Sequence, residues 1–171
     1  MFNKNIKLVL AFLIVAFAGY QFVEGEIGNG ICLILLALIF VFLYFRNELI
    51  LLAFLRMRKQ DLEGTEKWLN KIRNPEAALT TKQQGYYNYL HGIIYSQKNL
   101  TQAEKYFRRA LKLGLNMDYD VAMAKLSLAG IAMQKRRKRE ATTLLQEAKK
   151  LDKNNMLGDQ IKMMQQQLKR I

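Results

Sequence analysis

The sequence predicts an all-α protein in which an N-terminal helical hairpin precedes a short stack of helical pairs and a terminal capping helix. Three observations lead to this fold class. The 171 residues include one proline, and few runs alternate apolar with polar residues as strands do. Two long apolar runs lie at the start of the chain. Beyond them, one pattern of residues occurs twice with a constant offset of 38 positions.

The two apolar runs predict a transmembrane hairpin over residues 1–45, with spans at about 6–23 and 29–45. Each run lies near the lower limit of roughly 17 residues for crossing a bilayer. Two alternatives stay open for these runs. They can be buried core helices, or the first can be a signal peptide cleaved after the small-residue pattern Ala16-Phe17-Ala18.

The distribution of charge predicts the orientation of this hairpin. Lys4 and Lys7 precede the first run and further cations follow the second, whereas the connector EGEIGNG carries none. The positive-inside rule then places both termini and the repeat region in the cytoplasm. A compact chain with a bare hairpin and no eukaryotic sorting signal favours a bacterial inner membrane. No Gly or Pro interrupts the segment from Ile31 to Lys59, so we expect one continuous helix to enter the first helical pair.

The repeated pattern is LHGIIYSQKNLTQAEKYFRRAL followed by LAGIAMQKRRKREATTLLQEAK. Its second half has the skeleton Ala-x3-Phe/Leu-x2-Ala. The skeleton residues are Ala103, Phe107 and Ala110 in the first copy, and Ala141, Leu145 and Ala148 in the second. Small residues let paired helices approach closely, and the larger one fills the space beside them. Because one pair cannot bury its apolar face alone, the repeat predicts stacking.

Each copy resembles a tetratricopeptide repeat. The first-helix positions of that family's pattern hold Tyr87, Leu90, His91 and Ile94 in one copy, and Lys125, Leu128, Ala129 and Ala132 in the other. The copies depart from the pattern through the period of 38, the missing closing proline, a histidine at a small-residue position and a lysine at an aromatic one. The resemblance implies a domain over 46–171, with a degenerate unit at 46–75, units at 82–115 and 120–153, and a capping helix at 155–170.

Several helix ends can be predicted from capping residues. Asp61 is expected to start a helix that ends at Asn74-Pro75, and a loop is expected to follow. Thr80 with Gln83 and Thr101 with Glu104 have the spacing of capping boxes. Asp118 or Asp120 is expected to cap the next helix. On the terminal helix, the apolar face is formed by Leu157, Ile161, Met164 and Leu168.

The family resemblance implies that first helices line a groove that binds a protein partner. The corresponding positions are Asn88, Tyr89, Tyr95 and Ser96 in one unit, and Ser127, Met133 and Gln134 in the other. Tyr offers a rigid amphipathic contact and Met an adaptable one. The alternative is that these side chains only pack the repeat core or the terminal helix. The leading functional hypothesis is a membrane-anchored adaptor at the cytoplasmic face.

A run of five cations lies between the two helices of the second copy: Lys135, Arg136, Arg137, Lys138 and Arg139. It can attract anionic lipid, nucleic acid or an acidic partner, or it can be a solvated turn. No aromatic residue interleaves with it, which disfavours nucleic acid. Two alternatives to the adaptor stay open: a subunit of a larger membrane complex held through the hairpin, and a basic membrane-surface receptor for RNA or ribosomes.

Catalytic chemistry has little support in the sequence. A single histidine leaves no set of residues for a His-based metal site or a Ser-His-Asp triad, and no Gly-rich phosphate loop follows a strand. The single cysteine, Cys32, lies in an apolar run, where it acts as a small hydrophobic residue. We therefore predict neither enzyme activity, nor a metal, nor a cofactor.

Overall fold

A computed structural model describes residues 4–45 and 48–170, and it confirms the all-α class. This part of the chain contains ten helices and no strand. The helices are α1 (Lys4–Val23), α2 (Ile27–Phe45), α3 (Glu48–Arg58), α4 (Leu62–Asn70), α5 (Pro75–Ala78), α6 (Thr81–Lys98), α7 (Leu100–Leu113), α8 (Asp118–Gln134), α9 (Lys138–Leu151) and α10 (Gly158–Lys169). They form two compact units, and the chain passes from the first to the second between Gln83 and Gln84.

In the first unit, α1 and α2 pack against each other as a hairpin. Buried alanines on both helices, Ala11, Ala18 and Ala37, allow the close approach. Gly25 turns the chain between the helices with a φ of 84°, a conformation that glycine adopts without steric cost. The large apolar side chains of the hairpin are mostly exposed, among them Phe12 at 73%.

The prediction of a transmembrane hairpin, and with it of an integral protein of a bacterial inner membrane, is contradicted. Across residues 4–45 and 48–170, no helix combines the length and the apolar character that a membrane span requires. Both apolar runs lie near the lower length limit, and a run of that length does not by itself distinguish a membrane span from another apolar helix.

The predicted helix from Ile31 to Lys59 includes residues 46 and 47, which lie outside the described residues. On the C-terminal side, α3 ends at Arg58, and Gln60 takes a left-handed φ of 59°. The chain therefore turns sharply at the predicted end of that helix.

The helices α3 and α4 form a pair around Ala53, Thr65 and Leu69, all fully buried. The Thr65 hydroxyl lies 2.7 Å from the Asp61 carbonyl oxygen and 3.4 Å from that of Ala53. Asp61 caps α4 as predicted, since its Oδ1 accepts from the Gly64 amide at 2.7 Å.

The segment after α4 differs from the prediction of a helix that continues to Asn74-Pro75. α4 ends at Asn70, and Asn74 instead caps the short helix α5, accepting from the Ala77 amide at 3.3 Å. Pro75 stands at the first helical position, where its missing N–H costs no hydrogen bond. Asn-Pro signals a helix end in the sequence, which predicts a loop, but here the same pair also starts a short helix.

In the second unit, the pairs α6/α7 and α8/α9 carry the repeated skeleton in their cores. Its alanines and Phe107 are fully buried, and Leu145 is 1% exposed. The α10 helix packs its predicted apolar face against α8 and α9, with Leu157, Ile161 and Leu168 buried and Met164 half-buried.

Two predicted helix starts in this unit are wrong. Asn99, not Thr101, caps α7, because its Oδ1 accepts from the amides of Thr101 and Gln102 at 3.0 and 3.1 Å. The residue before α8 is Met117, which gives no side-chain cap. Asp118 and Asp120 lie in the first turn of α8, where their negative charge interacts favourably with the helix dipole.

Candidate functional site: a hollow between α8 and α10 and a basic turn

Two of the predicted groove residues in the first repeat are buried in its core. Asn88 and Tyr89 are each 6% exposed. The Asn88 amide donates to the Gln84 carbonyl oxygen at 2.7 Å, and the Tyr89 ring meets Phe107 edge-on at 6.0 Å between centroids. Burial raises the pKa of the Tyr89 hydroxyl well above its usual range. In this structure, both side chains stabilise the helix pair.

The other two, Tyr95 and Ser96, are half-buried. Ser96 donates to the carbonyl oxygen of Gly92 at 2.8 Å. Tyr95 stacks on Tyr106 at 5.2 Å and forms an aromatic cluster with Tyr87, His91 and Tyr106. His91 is 5% exposed, and its ring lies 4.5 Å from Tyr87 and 5.1 Å from Tyr106. The histidine thus occupies a packing position between aromatic rings.

The predicted residues of the second repeat lie on α8, and two of them meet α10. Met133 and Gln134 line a hollow of ≈ 390 Å³ together with Gly130 of the same helix. The opposite wall comes from Met164, Gln167 and Arg170. Met133 is buried, whereas Gln134 is exposed. Ser127 is half-buried and donates to the Met123 carbonyl oxygen at 2.9 Å, apart from the hollow.

Gly130 lines this hollow without a side chain. A Cβ placed on it would meet only the terminal methyl of Met164, at 3.4 Å, which is an ordinary contact. At the equivalent position of the first repeat, a Cβ on Gly92 would meet the Phe107 ring at 2.8 Å. The same residue type therefore accommodates a neighbouring ring in one repeat, whereas in the other it has room for a methyl group beside Met164.

Among the predicted groove residues, the sequence did not indicate Gly130, Met164 and Gln167 of α10, or Arg170 at the C-terminal end of that helix. Met164, Gln167 and Arg170 recur at intervals of three, so they form one stripe, and that regularity is visible in the sequence. The stripe alone does not reveal which helix it faces. Only the packing of α10 on α8 places it opposite Met133 and Gln134.

Two cations of the basic run form ion pairs within the protein. Lys135 Nζ lies 2.7 Å from Glu104 Oε2, and Arg137 Nη1 lies 2.8 Å from Glu104 Oε1. Arg108 also binds Glu104, at 2.9 Å, and reaches Glu140 at the start of α9. Partial burial alone would raise the pKa of Glu104, but the three cationic donors outweigh it and lower that pKa to about 2.

The remaining three cations, Arg136, Lys138 and Arg139, are exposed and form no ion pair with another described residue. Arg136 takes a left-handed φ of 56°. Its amide donates to the Met133 carbonyl oxygen at 2.9 Å, and the next amide donates to that of Ala132 at 2.8 Å. This pair of bonds closes the C-terminus of α8 in a position where glycine is usual.

A second hollow, of ≈ 440 Å³, lies between the α7–α8 and α9–α10 connections. The ion pair of Asp118 with Lys153, at 2.8 Å, joins its two sides. Beside it, Tyr86 donates to Asp120 at 2.6 Å, and burial together with this bond raises the pKa of Tyr86 to about 12. Within the described ranges, no group of three or more His, Cys, Asp or Glu side chains could hold a metal ion.

No protein-family model, curated protein or solved structure matches the chain. The geometry of the hollow and of the charged surfaces is therefore the basis on which a function can be inferred.

Proposed function

We propose that this protein is an adaptor that binds an extended segment of a partner protein in the hollow between α8 and α10. The observation that carries the proposal is the hollow itself, which places two methionines, two glutamines and an arginine around one glycine. Its volume of ≈ 390 Å³ lies within the usual range for sites that bind small groups, about 300–1,000 Å³.

The side chains of the hollow indicate the chemistry of the occupant. Met133 and Met164 supply flexible, polarisable surface that adapts to apolar side chains of different shapes. Gln134 and Gln167 can pair with the backbone of an extended segment. Arg170 supplies a positive charge, so the segment we expect combines one large apolar side chain with a neighbouring carboxylate.

The family resemblance supports the same location, because it implies that first helices of repeat pairs line the groove. α8 is the first helix of its pair, and Met133 and Gln134 are two of the groove positions that the sequence predicts. The resemblance and the geometry therefore favour the same part of the second repeat.

One observation favours a second candidate, an accessory subunit of a larger assembly held through the hairpin. The large apolar side chains of α1 and α2 are extensively exposed, including Phe12 at 73% and Leu38 at 57%. Exposed apolar area of this extent is typical of surfaces that associate with something else.

Site-specific photocrosslinking in cells tests the adaptor proposal. A crosslinking residue at Gln134 should capture a distinct partner, whereas the same residue at Gln146, exposed on α9, should not. Adding Gly130→Leu fills the hollow next to Met164 and should abolish the Gln134 product. Gln146→Leu is the matched control for added apolar bulk.

The proposal fails if the Gln134 product survives Gly130→Leu in a variant with unchanged helical circular dichroism. It also fails if Gln134 and Gln146 give the same products. A partner captured only by a crosslinking residue at Phe12 would favour the accessory-subunit alternative.

A further inference from the structure

The positive charge of the protein is concentrated on one set of elements. From Gln84 onward, the sequence has 17 lysines and arginines against 7 aspartates and glutamates. Eleven of these cations lie on α7, in residues 135–139 and on the rest of α9, and only three carboxylates accompany them. We call this surface the basic face.

The internal ion pairs bring the parts of the basic face together without neutralising it. Arg108 of α7 and Lys135 and Arg137 of the turn share Glu104, and Arg108 also reaches Glu140 of α9. These contacts hold α7, the turn and α9 beside one another. Together with Arg136, Lys138 and Arg139, the network has six cations against two carboxylates, which leaves a surplus of four positive charges.

We propose that the basic face binds the phosphate backbone of a double-stranded nucleic acid. From Lys138 to Lys150, α9 rises about 18 Å at 1.5 Å per residue, and exposed cations stand at both ends. A duplex carries about one phosphate charge per 1.7 Å of its axis, so it presents a rigid row of charges over that length. The arginine guanidinium groups have a planar fork that fits phosphate oxygens.

A duplex fits this face better than a single strand does. Single strands are held largely by stacking of bases on exposed aromatic rings. On α7, Phe107 is fully buried and Tyr106 is half-buried in the aromatic cluster, so neither stands among the exposed cations. In the sequence, the lack of aromatic residues in the basic run disfavours nucleic acid because bases would have no rings on which to stack. Recognition of a phosphate backbone does not require such rings.

The test uses the full chain and fluorescence anisotropy with a labelled RNA duplex and a DNA duplex of the same sequence. The variant Arg136→Gln/Lys138→Gln/Arg139→Gln removes the three exposed cations of the turn. The control Lys67→Gln/Arg73→Gln/Lys162→Gln removes three exposed cations elsewhere, so the net charge of the two proteins is equal. Circular dichroism verifies that both variants are folded.

We expect the wild type to bind at least one duplex with micromolar affinity that weakens steeply with salt. The turn variant should lose tenfold or more in affinity, and its slope of log K against log salt should fall by about 2–3, at roughly 0.9 per phosphate contact. The control should change binding less than threefold. The comparison of RNA with DNA identifies the preferred duplex.

Three results would overturn the proposal. The first is no binding of either duplex at low salt. The second is an equal loss in the two variants, which would indicate general attraction by net charge. The third is tighter binding of a labelled poly-glutamate peptide than of either duplex, which would identify the face as a site for acidic protein segments.

Discussion

The two repeats of the second unit share a packing skeleton and differ in almost everything around it. Both bury an alanine at each end of the skeleton, but the first places Phe107 between them and the second Leu145. The first repeat also has the aromatic cluster, whereas the second has the hollow and the turn with exposed cations. Because the packing skeleton is the same in both repeats, the residues around it account for the differences in their surfaces.

Phe107→Ala tests the part of the comparison with the largest expected effect. The ring is fully buried and contacts Tyr89 and Gly92, so its removal should lower the free energy of unfolding by about 3–5 kcal/mol. Leu145→Ala should cost less, about 2–4 kcal/mol, because fewer atoms are removed. Urea denaturation measures both. An equal or larger loss for Leu145→Ala would mean that the second repeat is the more tightly packed.

The two equivalent glycines should respond in opposite directions to alanine. Gly92→Ala forces a methyl group into the Phe107 ring and should destabilise the protein by about 1–3 kcal/mol. Gly130→Ala places its methyl group in ordinary contact with the terminal methyl of Met164, at 3.4 Å, and should stabilise the protein by up to about 1 kcal/mol through helix propensity. Denaturation midpoints provide the measurement. Similar effects at the two positions would contradict the open hollow.

A double-mutant cycle sharpens that result. In Phe107→Ala/Gly92→Ala the new methyl group enters space that the ring has left, so the combined loss should be smaller than the sum of the single losses. Additive effects would show that the two residues are not in contact.

The connections between the paired helices should differ by smaller amounts. Asn99→Ala removes the side-chain cap of α7 and should cost about 1 kcal/mol. Arg136→Gly removes the backbone strain of an arginine in the left-handed region and should raise the free energy of unfolding by about 1 kcal/mol. Thermal denaturation of both variants tests this pair, with Lys138→Gly as the control for loss of an exposed cation. A loss of stability in Arg136→Gly would show that its side chain supports the turn.

Much of the helical architecture was predictable because it follows from local periodicity. The offset of 38 located both skeletons, and the spacing on α10 identified the face that holds Leu157 and Ile161. The four-residue α5 was missed because it is too short to show helical periodicity. The hairpin was located as two apolar helices, but apolar character alone led to the wrong conclusion about a membrane span.

The candidate sites were less predictable because they depend on residues far apart in sequence. The hollow needs Met133 opposite Met164, and that pairing is set by how α10 packs. Five consecutive cations looked equivalent in the sequence, yet Lys135 and Arg137 pair with Glu104, more than 30 residues earlier. Charge patterning alone does not identify such long-range partners.

The pH dependence of folding gives the smallest expected difference between the repeats. Glu104 has its counterpart 38 residues later in Thr142, which carries no charge. Since the folded-state pKa of Glu104 is lowered from 4.5 to about 2, its stabilisation is fully present above about pH 4.5 and is lost as the pH falls toward 2. The cations that bind it are partly exposed, so the effect should be about 0.5–1 kcal/mol.

The difference in unfolding free energy between wild type and Glu104→Gln should shrink across that interval. Arg137→Gln, which removes one of three donors, should reduce the dependence without abolishing it, and an unchanged difference at all pH values would exclude Glu104 as the link between α7 and the turn.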